Sequence, residues 1–218
     1  LTSIAHSVDD QTLVMGVNSH PMDSGGSGSF GFFMGSDPTR FPQDLDHLLR
    51  GSCIINTIPR LQAEIMSTSG NIIRSDPALN DLLVANTHQY QPSKYRLKRE
   101  SNPNYPELDV RQSSSGLLFS TFLGQGAWFR HVVDLSMFEF SMSEVNDHYL
   151  VVSRDLPSNM RIEDGSHWAW TDQTTTLTSD MHRGYVVADG WDEIHFTRGA
   201  RISVNNNGPR SEEHTSEL

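Results

Sequence analysis

The sequence predicts an α+β fold, with an antiparallel β-rich C-terminal half and short helices confined to the N-terminal half. Three observations predict it. Two-residue alternation recurs from Leu117 onward, as in strands with one face packed and one face wet. Apolar residues three and four apart cluster between Phe41 and Leu83, which is the spacing of a helix face. Asp189-Gly190 lies between two apolar runs, the strongest two-residue hairpin signal in the chain.

Taken in order, residues 12–17 and 30–34 have strand composition and flank 23–29, a flexible Gly/Ser connection. Residues 41–51 predict a helix, with Pro42 near its start, Leu45, Leu48 and Leu49 on one face and Gly51 just past its end. A second helix is expected over 59–66, where Ile58, Leu61 and Ile65 share helical spacing. A third follows Asp76-Pro77, with Leu79, Leu82 and Leu83 clustered and Asn86 as its stop. Residues 86–116 are a polar connection broken by Pro92, Pro103 and Pro106, read as a linker, a surface arm or a pair of edge strands. Residues 138–142 alternate strictly and 148–152 follow a polar turn, which predicts a hairpin. Residues 185–188 and 191–197 form a second hairpin, and 201–204 a last strand. The domains implied are 1–90, a mixed strand and helix region; 91–116, the polar connection; 117–209, the antiparallel β region; and 210–218, a tail.

Composition narrows the classes. With 36% hydrophobic and 20% charged residues in 218, the chain is globular but mildly polar. A single cysteine, Cys53, excludes an internal disulfide framework. No apolar run approaches the ~20 residues that cross a bilayer. A net charge of −11 with only two lysines argues against nucleic acid as a partner. The sole basic cluster, Lys94 to Arg99, reads as a solvated loop or edge strand. Residues 210–218, Arg-Ser-Glu-Glu-His-Thr-Ser-Glu-Leu, resemble residue for residue the translation of a short-read sequencing adapter. That resemblance implies an artefactual tail on a fragment of metagenomic origin. The opening Leu1-Thr2-Ser3-Ile4, without methionine, agrees with a fragment or a processed product.

The candidate chemistry lies in the strand-rich half. Glu193 and His195 sit two apart, on one strand face opposite Ile194 and Phe196. With His182, and with Asp180 as an orienting neighbour, they form the two-histidine, one-carboxylate set that can hold a divalent metal. Other histidines also stand near carboxylates: His131 near Asp134, His148 beside Asp147, and His167 near Asp164. Trp168 and Trp170 share a strand face beside a Thr-rich stretch, and Trp191 could extend it; such indoles can stack on a sugar. Asp23-Ser24-Gly25-Gly26 resembles the loop around a serine-protease nucleophile, but Met22 stands where that family has glycine, and a hairpin loop explains it more economically.

The expected function is therefore a structural or interaction protein, a virion, appendage or cell-surface component acting outside the cell, without a catalytic motif and without a cofactor. Its partners would be other proteins or further copies of itself. The alternatives are a carbohydrate-binding β domain using Trp168 and Trp170 on a glycan, and a metal-dependent enzyme using the His/carboxylate strands.

Overall fold

The computed structural model describes residues 2–9, 11–29, 34–101, 103, 106–138, 140, 141, 143–161, 167–209 and 211–214. In chain order the regular elements are α1 (Thr2–Ala5), β1 (Leu13–Val14), α2 (Phe41–Leu49), β2 (Ile55–Ile58), β3 (Gln62–Met66), β4 (Ile72–Arg74), β5 (Asp81–Asn86) and β6 (Ser93–Arg99). They continue with β7 (Leu108–Ser114), β8 (Leu117–Ser120), β9 (Tyr149–Ser153), β10 (Trp168–Thr171), β11 (Thr175–Ser179), β12 (Arg183–Ala188), β13 (Trp191–Thr197), β14 (Arg201–Asn205) and β15 (Ser211–His214). Short 3-10 turns cover Leu123–Gly126, Phe129–His131, Leu135–Met137 and Ser158–Met160.

The chain divides into two compact units, Ser3–Ile58 with Pro209–Leu218, and Pro59–Gly208. In the first, β15 lies between β1 and β2, parallel to the former and antiparallel to the latter. Helix α2 starts and stops as its sequence predicts. Asp37 accepts the amides of Thr39 and Arg40 at 2.8 and 3.0 Å, Pro42 occupies the first turn, and Gly51 takes φ 63° just past the end. The Gly/Ser connection is more ordered than expected. The Asp23 carboxylate accepts the amides of Gly25 and Ser27, both at 2.9 Å, and Asn18 donates to the Ser29 carbonyl at 2.9 Å. Those amides are engaged in closing the loop on itself. Of the strand expected at 30–34, residues 30–33 lie outside the described residues.

The second unit is a sandwich of two six-stranded antiparallel sheets, ordered β4-β3-β14-β11-β6-β7 and β10-β9-β8-β5-β12-β13. Between them packs a core in which Ile65, Tyr95, Leu97, Leu177 and Ile202 from one sheet meet Leu82, Val84, Phe119, Val151 and Val186 from the other. The opposite face of the second sheet is also covered. Leu83, Leu118, Leu150, Val152 and Trp170 there pack against Phe129, Phe138 and Phe140 from the turn-rich segment between β8 and β9.

The fold is thus mostly β, and the α+β expectation is overturned. The segment expected as a second helix contains β3, and the one expected as a third contains β5. Strand β5 is buried on both faces, so its sequence Asp-Leu-Leu-Val-Ala-Asn lacks alternation and reads equally as a helix segment. The polar connection holds β6 and β7, and β6 is an interior strand, not an edge or a loop. The hairpin predicted at 138–152 is half right. Strand β9 forms, but Phe138 and Phe140 stack at 5.7 Å and cap the sheet instead of joining it. The second hairpin is as expected: β12 and β13 pair through Asp189 (φ 50°) and Gly190 (φ 78°), the doubly positive turn that Asp-Gly favours.

Candidate functional site

The site is built where β5 begins. Pro77 and the buried Ala78 and Leu79 lead into the strand, and the backbone of 79–81 is satisfied entirely by distant parts of the chain. On one side the Asp189 carboxylate accepts three amides, from Leu79 at 2.8 Å, Asn80 at 2.8 Å and Asp81 at 3.0 Å. The Asp189 amide donates back to the Asp81 carbonyl at 2.8 Å. On the other side Thr121 donates its hydroxyl to the Leu79 carbonyl at 2.7 Å and its amide to the Asn80 carbonyl at 3.0 Å. Gly124 closes over this knot: its amide donates to the Thr121 hydroxyl at 2.9 Å, and a Cβ there would lie 2.2 Å from the Asn80 carbonyl oxygen. Only glycine permits so close an approach.

With its backbone so fixed, the knot presents the half-buried side chains of Asn80 and Asp81, neither with a hydrogen-bond partner among the described residues. Burial, and secondarily the negative charge of Asp189, pushes the Asp81 carboxyl up from its ordinary 3.8 to about 6. A carboxyl raised in this way can hold or release a proton near neutral pH.

From Gly124 the chain runs through 3-10 turns to a cavity of about 350 Å³ against the outer end of β9. Trp128, His131, Arg154, Asp155, Arg161 and His167 line it. The Arg154 guanidinium lies over the Trp128 ring at 4.6 Å from its centroid. Arg161 donates to the Leu156 carbonyl at 2.8 Å, which fixes its stem. Burial and then the nearby Arg161 charge lower the His167 pKa, and its Nδ1 is buried without a hydrogen-bond partner among the described residues. An indole, two guanidiniums and two imidazoles around one concavity suit a ligand with a flat ring and an anionic group.

Of the histidines singled out in the sequence, His131 and His167 line this cavity, while the residues proposed for a metal and for a sugar are placed elsewhere. Glu193 and His195 do share a face and pair at 3.4 Å, both exposed. His182 and Asp180 lie in the turn before β12, where the Asp180 amide donates to the Lys94 carbonyl at 2.9 Å. Among the described residues no three His, Cys, Asp or Glu side chains group closely enough to hold a metal. Trp168 meets Phe138 edge-on at 4.8 Å, and Trp170, only 2% exposed, packs on Phe122, Phe140 and His148 with its indole N–H on Glu144. These two indoles pack the cover of the sheet. Trp191 is exposed, but β13 and β10 are opposite edges of a six-stranded sheet, so no common platform forms. Cys53 is a free thiol in the other unit.

Asn80 and Asp81 escaped the sequence reading because their segment read as helix, and Arg154 and Arg161 because nothing in their spacing marks them. The one available signal was Asp189-Gly190, which marks a turn but not the amides its carboxylate reaches.

No protein-family model and no curated protein sequence matches the chain. Solved structures do. Yeast NADH kinase complexed with NADH superposes with a TM-score of 0.67 over 87% of this chain at 14% identity. An NAD kinase from Archaeoglobus fulgidus in complex with ATP gives 0.63 over 88% at 13% identity. The chain spans 52% of the yeast protein's length and 67% of the archaeal one's. The chain shares its fold with these two proteins. This overturns the expectation of a virion, appendage or cell-surface structural protein, and with it the expectation that the chain is not part of an enzyme.

Proposed function

We propose that this chain is the nucleotide-binding β portion of a kinase acting on NAD or NADH with ATP as donor. The observation that carries the reading is the fold shared with two such kinases across nearly nine-tenths of the chain. The chemistry of the candidate site supports it. Asn80 and Asp81 offer donors and acceptors for ribose hydroxyls, held rigidly by the Asp189 and Thr121 contacts. Trp128 offers a stacking face, and Arg154 and Arg161 offer forks for phosphate oxygens. Asp81, neutral more often than an ordinary carboxyl near pH 6, can donate to one hydroxyl and accept from another as it titrates.

Phosphoryl transfer ordinarily draws on a divalent cation that neutralises the phosphates. The described residues do not supply a dedicated cage for one, and both carboxylate oxygens of Asp189 are already occupied by amides.

The test is direct binding, with turnover as a second readout. NADH fluorescence and calorimetry with ATP should show saturable binding to the folded chain. Arg154→Ala should weaken it roughly tenfold or more, as loss of a charge-assisted contact implies. Chromatographic detection of NADP or NADPH after incubation with ATP and magnesium checks the transfer itself. A folded chain that binds neither nucleotide at millimolar concentration refutes the proposal.

A further inference from the structure

The outer face of the β4-β3-β14-β11-β6-β7 sheet carries a charge pattern opposite to that of the chain. Strand β6 alternates strictly, burying Ser93, Tyr95, Leu97 and Arg99 and exposing Lys94, Arg96 and Lys98. Register then assembles a row in which Arg201, Thr178, Arg96 and Arg111 are neighbours across four strands. The next row runs Ser203, Thr176, Lys98, Asp109. The carboxylates along these rows are paired: Asp109 accepts from Arg96 at 2.6 and 2.8 Å and is approached by Lys98 at 3.2 Å, and Glu64, opposite Ser203, pairs with Arg74 at 3.2 Å. Both lysines of a chain with net charge −11 lie here. Arg96 directly opposite Arg111 is a like-charge pair that costs stability, so the pattern is not one that packing alone favours.

At the end of this face lies a cavity of about 460 Å³. Lys98, Arg201, Thr176 and Ser203 line one part, with the buried Arg99 at its wall. Glu100 and Glu107 line the other, beyond the ends of β6 and β7, two residues or roughly 7 Å farther along the strands. Among the described residues no lining side chain is aromatic, so nothing there stacks on a base. We infer that this cavity binds a phosphorylated sugar, its phosphate on Lys98, Arg201 and the Thr176 and Ser203 hydroxyls, its sugar hydroxyls on Glu100 and Glu107. The span between the cationic and acidic parts suits the length of such a molecule, and the basic rows beside it draw the anion in. The site is separate from the nucleotide site proposed above and does not depend on that reading.

Calorimetry on the whole chain, with ribose 5-phosphate, inorganic phosphate, ribose and adenosine 5′-monophosphate as probes, tests it. Wild type should bind ribose 5-phosphate more tightly than any other probe. Lys98→Ala with Arg201→Ala should weaken that binding roughly tenfold or more. Glu100→Gln with Glu107→Gln should weaken ribose 5-phosphate while leaving inorganic phosphate as tight or tighter. All four side chains are exposed, and circular dichroism confirms that the variants fold. The inference is overturned if wild type fails to bind ribose 5-phosphate at millimolar concentration, or if the basic pair can be removed without effect. It is equally overturned if the Glu pair affects both probes alike, or if the adenosine phosphate binds as tightly.

Discussion

Asp81→Asn should make the protein more stable at neutral pH while damaging its site. In the unfolded chain the Asp81 carboxyl loses its proton near 3.8; in the folded chain it keeps it until about 6. Folding therefore takes up a proton between those values. The stability that Asp81 contributes is full below pH 3.8 and is lost as pH rises through 6. At about 1.36 kcal/mol for each tenfold change in ionisation constant, the rise corresponds to about 3 kcal/mol. Asparagine is close in shape and has no charge to desolvate. Urea unfolding of wild type and variant, followed by far-ultraviolet circular dichroism at intervals from pH 4 to 7.5, isolates the effect. The difference between them should move in favour of the variant by up to about 3 kcal/mol across that window. A constant difference would show that Asp81 is not desolvated. A shift favouring wild type would show that its anion is held by a partner, and either result defeats the reasoning.

Three further substitutions probe the scaffold. Gly124→Ala would set a Cβ 2.2 Å from the Asn80 carbonyl oxygen and 2.5 Å from its Cα; backbone on both sides must shift, so urea midpoints should fall by the equivalent of about 1–3 kcal/mol, with loss of NADH binding. Tyr149→Phe removes a buried hydroxyl that donates to the Gln173 carbonyl at 2.7 Å and accepts the Thr175 amide at 3.0 Å. It leaves that amide unsatisfied, and denaturation should register a loss of about 1–3 kcal/mol. Trp170→Ala opens the packed cover formed by Phe122, Phe140 and His148; chemical denaturation should show about 3–5 kcal/mol lost and no change in sugar-phosphate binding.

How legible each element was depended on how many of its faces are dry. Strands β12 and β13 keep one face wetter than the other, carry an Asp-Gly turn, and were readable. Helix α2 is exposed along much of its length and marked at both ends by Pro42 and Gly51, and it too was readable. Strand β5 is dry on both faces, so selection for apolar residues at every position erases the period that would name it a strand. Strand β6 misled in the opposite direction. Its exposed Lys94, Arg96 and Lys98 suggested a loop, although the intervening Tyr95 and Leu97 are core residues at two-residue spacing.

The site was harder to read than the fold because its geometry comes from tertiary contact and leaves no local motif. Asp189 caps amides 108 to 110 residues away in sequence, and only the closing of β12 onto β5 brings them within reach. The same logic applies to charge. A net value of −11 describes the sum, and it argues soundly against a chain that is basic throughout. It cannot report segregation. Alternation along β6 sends three cations to one side, and the registers of β7, β11 and β14 place two more arginines in the same row. An acidic chain thereby acquires a basic face through strand pairing, and the composition of that face is as much a product of register as the hydrophobic core behind it.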